Sequence, residues 1–416
     1  MRLGWTTRFA LSLVVALAGS VAFVGIHPGA EAATYAPLDQ PGPALSPTTA
    51  DMDAALHCDS STPLANATKD PVLLSPGTAT DSNESFGWNW EPALNQLGIP
   101  WCGIDPPELA LGPIDVAGEY IVRAIRRMHA MSGRKVDILG WSQGGMSMRW
   151  SLRFWPDTRA LVDDVMGFAG SNHGTQRMTV DNCAQIGCRA AVYQQASDSE
   201  FIRALNSHTE TFAGISYTNV YSRFDEVVIP DSDAAHCSSC LTVGPGMIAN
   251  IQTQQVCPLD TSDHVLIGPA PATYAIIVDA LTHDGPAVVS RIQANCASLF
   301  MPGVTDPAAA SGSVAALQSA VGTLAIAPGP LPNPNVHAPV LHAEPALPCY
   351  VYATCASSGA PTPIPVTSST PADHSDDDSD SSDSDDDSDD SDDDSDDDRK
   401  GRNRRVVLPL VVEGGR

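Results

Sequence analysis

Apolar positions in this chain fall into three textures. Arg2 and Arg8 precede an apolar run from Phe9 to about Val24, and the small residues of Ala30-Glu31-Ala32 follow. That is the pattern of a cleavable export leader, with the cut expected after Ala32. Residues 33–54, rich in Pro, Ala and Thr, read as an extended lead-in. From Ala55 to about Phe300, short apolar runs alternate with helical patterns. The run 71–78 is a buried strand broken by Pro-Gly. Val116, Tyr120, Ile121, Ile125 and Met128 recur at helical spacing over 115–131, with Asp115 as N-cap and Gly133 as stop signal. Residues 135–139 form the next strand, ended by Gly140, so strand, helix and strand imply a right-handed parallel crossover. Residues 165–169 and 215–221 are two further strands, and the Ala-rich 306–327 stretch is a helix packing back on the core. The alternation predicts an α/β architecture with a mostly parallel central sheet flanked by helices.

Composition adds a separate object at the C-terminus. The 416 residues carry a formal charge of −27, but residues 373–398 alone hold 17 Asp interleaved with Ser. Such a tract has nothing to bury and repels itself, so a disordered acidic tail is expected there. It offers oxygen ligands for Ca²⁺ without fixed geometry, and a solvated polyanionic tether is the plainer reading. The negative balance argues against nucleic acid and anionic membrane as partners. Ten cysteines point to an oxidising compartment, in agreement with the leader, and so to a secreted chain with possible retention at the cell surface. After the leader no apolar stretch is long enough to span a bilayer; 406–412 has only seven residues. The expected organisation is a leader at 1–32, a lead-in at 33–54 and a catalytic domain at 55–300. A C-terminal helix and cap follow at 301–356, then a Pro/Ser/Thr linker at 357–372, the acidic tail at 373–398 and a basic then apolar end at 399–416.

Candidate chemistry centres on Gly140-Trp141-Ser142-Gln143-Gly144, a G-x-S-x-G run with a strand before it and helix-forming residues after it. A serine nucleophile needs that tight turn, a histidine to take its proton and a carboxylate to orient the histidine. With the chain order Ser, acid, His, neither His129 nor His173 fits. Asp225, just beyond the strand at 215–221, is the favoured acid and Glu226 the fallback. Asp231 and Asp233 read as solvated loop residues. His264, in a polar loop turning apolar, is preferred as the base over His236, His283, His337, His342 and His374. The oxyanion of the tetrahedral intermediate needs donors, for which the backbone N–H of Gln143 and the Thr78 loop are candidates. Cys237 and Cys240, beside His236, fit a disulfide better than a metal site, because four ligands cannot be assembled around them.

The runs 71–78 (PVLLSPGT), 140–145 (GWSQGG), 219–230 (NVYSRFDEVVIP) and 257–264 (CPLDTSDH) resemble the Candida antarctica lipase B family of secreted α/β hydrolases, in order and spacing, over roughly residues 55–356. The resemblance implies an α/β-hydrolase fold. It matches Ser142, Asp225 and His264 to nucleophile, acid and base, and Thr78 and Gln143 to the oxyanion donors. Trp141 matches the residue flooring the alcohol side of the pocket, and Gln195 a polar residue on its acyl side. Ser171 stands where relatives carry an acyl-pocket Asp. Three disulfides are implied: Cys58 with Cys102, Cys257 with Cys296, and Cys349 with Cys355. Cys183, Cys188, Cys237 and Cys240 are additional. Cys183 and Cys188 bracket the expected short lid, and pairing within each loop or across the two loops stays open.

The expected function is therefore a serine carboxylic-ester hydrolase of the lipase/esterase type. Its partner would be a lipophilic ester such as an acylglycerol, met in solution or at a lipid–water interface, with no metal or organic cofactor required. A short-chain esterase or polyester depolymerase is the nearest alternative. A non-catalytic cell-surface binding protein on a hydrolase scaffold is the alternative of another class. Asn66-Ala67-Thr68 and Asn83-Glu84-Ser85 are glycosylation sequons.

Overall fold

A seven-stranded sheet organises the computed structural model, which describes residues 34–324 and 336–357. The leader with its cut after Ala32, the acidic tail and the basic terminus lie outside the described residues, as does nearly all of the 357–372 linker. The strands are β1 (Leu56–Cys58), β2 (Val72–Ser75), β3 (Trp101–Ile104), β4 (Val136–Trp141), β5 (Val162–Phe168) and β6 (Ser216–Tyr221). A small hairpin, β7 (Asp231–Asp233) with β8 (His236–Cys237), precedes the last sheet strand β9 (Met247–Gln252). Spatial order is β1-β3-β2-β4-β5-β6-β9, parallel throughout except β1, which pairs antiparallel with β3. This is the expected mostly parallel sheet, wider than the sequence pattern revealed. β3 intervenes between β2 and β4 in the chain, so the helix Ile114–Ser132 connects β3, not β2, to β4.

Both faces of the sheet are covered, and strand alternation assigns side chains to each. Val72, Leu74, Leu139 and Phe168 enter one core with Ile276 and Ile277 of the helix Pro271–Thr282. Leu73, Ile138, Val165 and Tyr217 enter the other with Ile121, Ile125 and Met128 of Ile114–Ser132. The helix Gln143–Phe154 sends Met148 and Leu152 into this second core. Its Met146, Trp150 and Phe154 form a third cluster with Phe201 and Val351. Gly133 ends Ile114–Ser132 at φ 67°, as its stop signal predicted. Asp115 is not the N-cap: Pro113 occupies that position, and Asp115 is the second helical residue, its carboxylate accepting from Gln194 Nε2 at 3.0 Å.

The lead-in is not extended over its whole length. Thr48 caps a helix at Thr49–Ala54, and Met52 on it is buried against the second core. The C-terminal helix packs back on the core. Val314 and Leu317 of the helix Pro307–Leu324 join the first core, while Ala36 N–H donates to the Val351 carbonyl. All described residues fall in one compact unit. Five disulfides brace it: Cys58–Cys102, Cys257–Cys296, Cys349–Cys355, and the two local pairs Cys183–Cys188 and Cys237–Cys240.

Candidate active site

β4 delivers Ser142 at the C-terminal edge of the sheet, directly before the helix Gln143–Phe154. Ser142 has φ 55° and ψ −122°, a backbone conformation that non-glycine residues rarely adopt and that the tight strand-to-helix turn imposes. The flanking glycines make the turn possible. A Cβ on Gly140 would run into the backbone of Gly144, and one on Gly144 into the Ser75 and Pro76 carbonyls of the neighbouring loop. The side chain therefore projects from the turn with its amide neighbours packed beneath it.

Two later loops meet that hydroxyl. His264 Nε2 lies 2.9 Å from Ser142 Oγ, and His264 Nδ1 lies 2.9 Å and 3.1 Å from the two Asp225 oxygens. Asp225 and His264 are almost fully buried, so water competes little for these bonds. Asp225 Oδ1 also accepts from the Val227 and Val228 amides, each at 2.8 Å, which fixes the carboxylate's direction. The acid loop and the histidine loop are latched together. Ser222 Oγ donates to the Ser262 carbonyl, and Gln254 Nε2 bridges Ser222 Oγ and the Asp260 carbonyl. Trp141 Nε1 donates to the His264 carbonyl at 3.0 Å, holding the histidine loop from the elbow side. Burial acts to lower the imidazole's pKa. The Asp225 carboxylate, with Glu226 and Asp263, outweighs that and holds it above its ordinary value.

Glu226, the fallback acid, does not face the imidazole ring; its Oε2 accepts from the His264 backbone N–H. Asp231, expected to be solvated, is buried. Ser239 donates to it through both its amide and its hydroxyl, and burial with the nearby negative Asp225 pushes its pKa to about 7. The loop closed by Cys237–Cys240 folds Ser239 onto it, a contact that no local pattern announces. Asp233 is exposed, as expected, and pairs with His236. His173 is engaged by Glu210, 2.7 Å away.

A polar network backs the candidate oxyanion site. Thr78 Oγ1 donates to Gln143 Oε1 at 2.8 Å and accepts from Gln195 Nε2 at 2.9 Å. The Thr78 hydroxyl is thus committed to Gln143 and must leave that bond to reach a substrate. The amide of Gln143, at the first turn of its helix, has no intrahelical acceptor, and neither it nor the Thr78 amide donates within the described residues. Ser171 Oγ donates to Gln195 Oε1, so it supports Gln195 from behind. It is fully buried and does not line the pocket as the resemblance implied. Trp141 and Gln195 do line it, in a half-open, mostly apolar cavity above Ser142. Thr175, Arg177, Met178, Val192, Val227, Val228 and Val321 complete the wall and escaped the sequence reading. Val227 and Val228 were within sight, in the run that follows Asp225.

Among the described residues one carboxylate group has metal-like spacing: Asp70, Asp137 and Asp163, within 4.8 Å of one another. It sits at the opposite end of the sheet, where Asp137 pairs with Val72, and Arg134 and Lys135 already pair with Asp70 and Asp163. The bracketed loop at 183–188 carries the short helix Val180–Ile186. Backbone bonds between Cys188 and Leu341 in both directions tie that loop to the C-terminal segment.

The parallel sheet, the strained serine turn at its C-terminal edge and the Ser–His–Asp chain define an α/β-hydrolase fold carrying a serine-hydrolase constellation. Residues 120–264 match the family described as Lipase (class 2). Lipase B of Pseudozyma antarctica is 37% identical over 225 residues, covering 53% of this chain and 64% of that protein's length. The crystal structure of Aspergillus fumigatus lipase B superposes with a TM-score of 0.66 at 28% identity, covering 78% of this chain and 77% of that one. Sequence and fold together make the chain similar to these lipases, over about half of its length to Lipase B of Pseudozyma antarctica and over about three quarters to the Aspergillus fumigatus enzyme.

Proposed function

We propose that the protein is a carboxylic-ester hydrolase of the lipase/esterase type, working through an acyl-enzyme on Ser142. The observation that carries the proposal is the buried chain Ser142 Oγ, His264 Nε2, His264 Nδ1, Asp225, with each link at hydrogen-bond distance. In the proposed reaction Ser142 Oγ attacks the ester carbonyl as His264 Nε2 takes its proton. Asp225 steadies the resulting imidazolium, and the Thr78 and Gln143 amides stabilise the oxyanion. The imidazolium then protonates the departing alcohol, and water repeats the sequence to release the acid. Names of the relatives, lipase B in both cases, support ester hydrolysis, and the mostly apolar pocket wall supports a lipophilic substrate such as an acylglycerol.

Five disulfides are consistent with an extracellular location, and we infer export through the leader at 1–32. No helix of the described residues is long and apolar enough to cross a membrane. Assays of p-nitrophenyl esters from acetate to palmitate test the function. The wild type is expected to hydrolyse them and Ser142→Ala to lose at least about a thousandfold in kcat. Full activity in Ser142→Ala would remove the proposed nucleophile.

A further inference from the structure

Arg177 is out of keeping with the wall it belongs to. It lines the cavity above Ser142 beside Met178, Val192, Val227 and Val228, and it is the one Lys or Arg among the lining residues. No carboxylate lines the cavity with it, and within the described residues Arg177 makes no ion pair. Its Nη1 donates to the Glu226 carbonyl, 2.6 Å away, which anchors the side chain against the acid loop. Thr175 Oγ1 accepts from the Arg177 amide at 3.0 Å and steadies its backbone. A guanidinium has five N–H donors in a planar fork suited to a carboxylate. One donor is used on the carbonyl, so the others remain to meet a ligand. The Glu226 carboxylate accepts from the His264 amide on one oxygen, Asp263 accepts from Gln318 and from the Val265 and Leu266 amides, and neither pairs with the guanidinium.

We propose that Arg177 is a specificity-determining residue that favours esters carrying an anionic group, a carboxylate above all, at the far end of the chain held along this wall. The inference rests on the ester-hydrolase reading and sharpens its substrate class. A cation anchored at one end in a half-buried, largely apolar pocket attracts a carboxylate more strongly than it would in bulk water. The anionic group can sit on the acyl or the alcohol part, and the two sources are separable.

The test compares kcat/KM for butyl hexanoate, monobutyl adipate and the hexanoyl ester of ω-hydroxyvalerate, at about pH 8, where the free carboxyls are ionised. The proteins are the wild type, Arg177→Met and Arg177→Lys. Arg177→Met is expected to lower the ratio of charged to neutral ester about fivefold to tenfold for one charged substrate, the ratio being the readout whatever the change in butyl hexanoate turnover. Arg177→Lys should recover part of that ratio, and added salt should shrink the wild-type preference. A fall confined to the adipate puts the charge on the acyl side; a fall confined to the hydroxyvalerate ester puts it on the alcohol side. If all three esters slow equally in Arg177→Met, the side chain merely props the acid loop and the proposal is overturned. Failure of the wild type to hydrolyse butyl hexanoate at all would instead strike the hydrolase reading and take this inference with it.

Discussion

His264 is buried among carboxylates, and its raised pKa sets how the proposed activity responds to pH. Only the neutral imidazole accepts the serine proton, so kcat/KM should fall on the acid side through a pKa above the ordinary value of about 6.5. Removing one negative neighbour lowers that pKa. Glu226→Gln, which keeps an acceptor for the His264 amide, should therefore move the acid limb to lower pH with the plateau rate nearly unchanged. A limb that stays put or moves upward would refute this assignment of charges. Asp225→Asn should be far more damaging, about 10³–10⁴-fold in kcat, because the imidazole loses the partner that fixes its tautomer. At this scale the site was legible for a simple reason. A strained serine turn needs glycine on both sides, and the acid and histidine each follow a strand or precede an apolar turn. The exceptions are instructive. Asp231 was misread as solvated because its burial comes from Ser239, folded over it by a disulfide loop. Ser171 was misread as a wall residue because only the fold shows Gln195 standing in front of it.

Elements carry two further predictions. Gly144 fills no space of its own, yet a methyl group there meets the Ser75 and Pro76 carbonyls, which belong to β2 and its following loop. Gly144→Ala should cost about 1–3 kcal/mol by overpacking and displace Thr78 from the site, so a melting curve and a rate assay should fall together. Asp164, on β5, is buried with one oxygen unpartnered, and burial, with Asp163 nearby, pushes its pKa to about 7. The folded pKa lies above the unfolded one, so the folded state binds the extra proton. Stability is then greatest below about pH 4 and is lost as pH rises towards 7. Asp164→Asn should raise stability by roughly 2–4 kcal/mol at pH 8 and change little at pH 4, as denaturant titrations at the two pH values would show. Equal effects at both would contradict the linkage. The long helices and the strands at 135–139, 165–169 and 215–221 were readable because each presents an uninterrupted run. β1 and β3 were not, since Leu56–Cys58 and Trp101–Ile104 are too short to display a period and owe their extension to each other and to β2. Met247–Gln252 alternates weakly for a different reason: it lies at the sheet's edge, half covered.

Across the described residues, shared cores join residues 55–300 to the helix and cap segment that follow them. The helix Pro307–Leu324 and the segment carrying Val351 complete cores begun by β2 and by Gln143–Phe154, so the described C-terminal residues are part of the scaffold that holds the elbow. The disulfides differ in what they span. Cys58–Cys102 closes a separation of 44 residues and Cys237–Cys240 one of 3. Loop-closure entropy then predicts a cost of about 4 kcal/mol for replacing the first pair by serines and about 2 kcal/mol for the second. Urea titrations of the two double variants check that order, and a larger loss from the short loop would contradict it. Cys58–Cys102, Cys257–Cys296 and Cys349–Cys355 were foreseen through resemblance to a family, whereas the pairing of Cys183, Cys188, Cys237 and Cys240 stayed open until the fold showed each loop closed on itself.

Peptide mapping after treatment with a p-nitrophenyl alkylphosphonate tests the central claim most directly. The account predicts one phosphonyl group per molecule, on Ser142, in the wild type, with labelling of His264→Ala slowed at least about a thousandfold. A label found on another residue, or undiminished labelling without the imidazole, would contradict it.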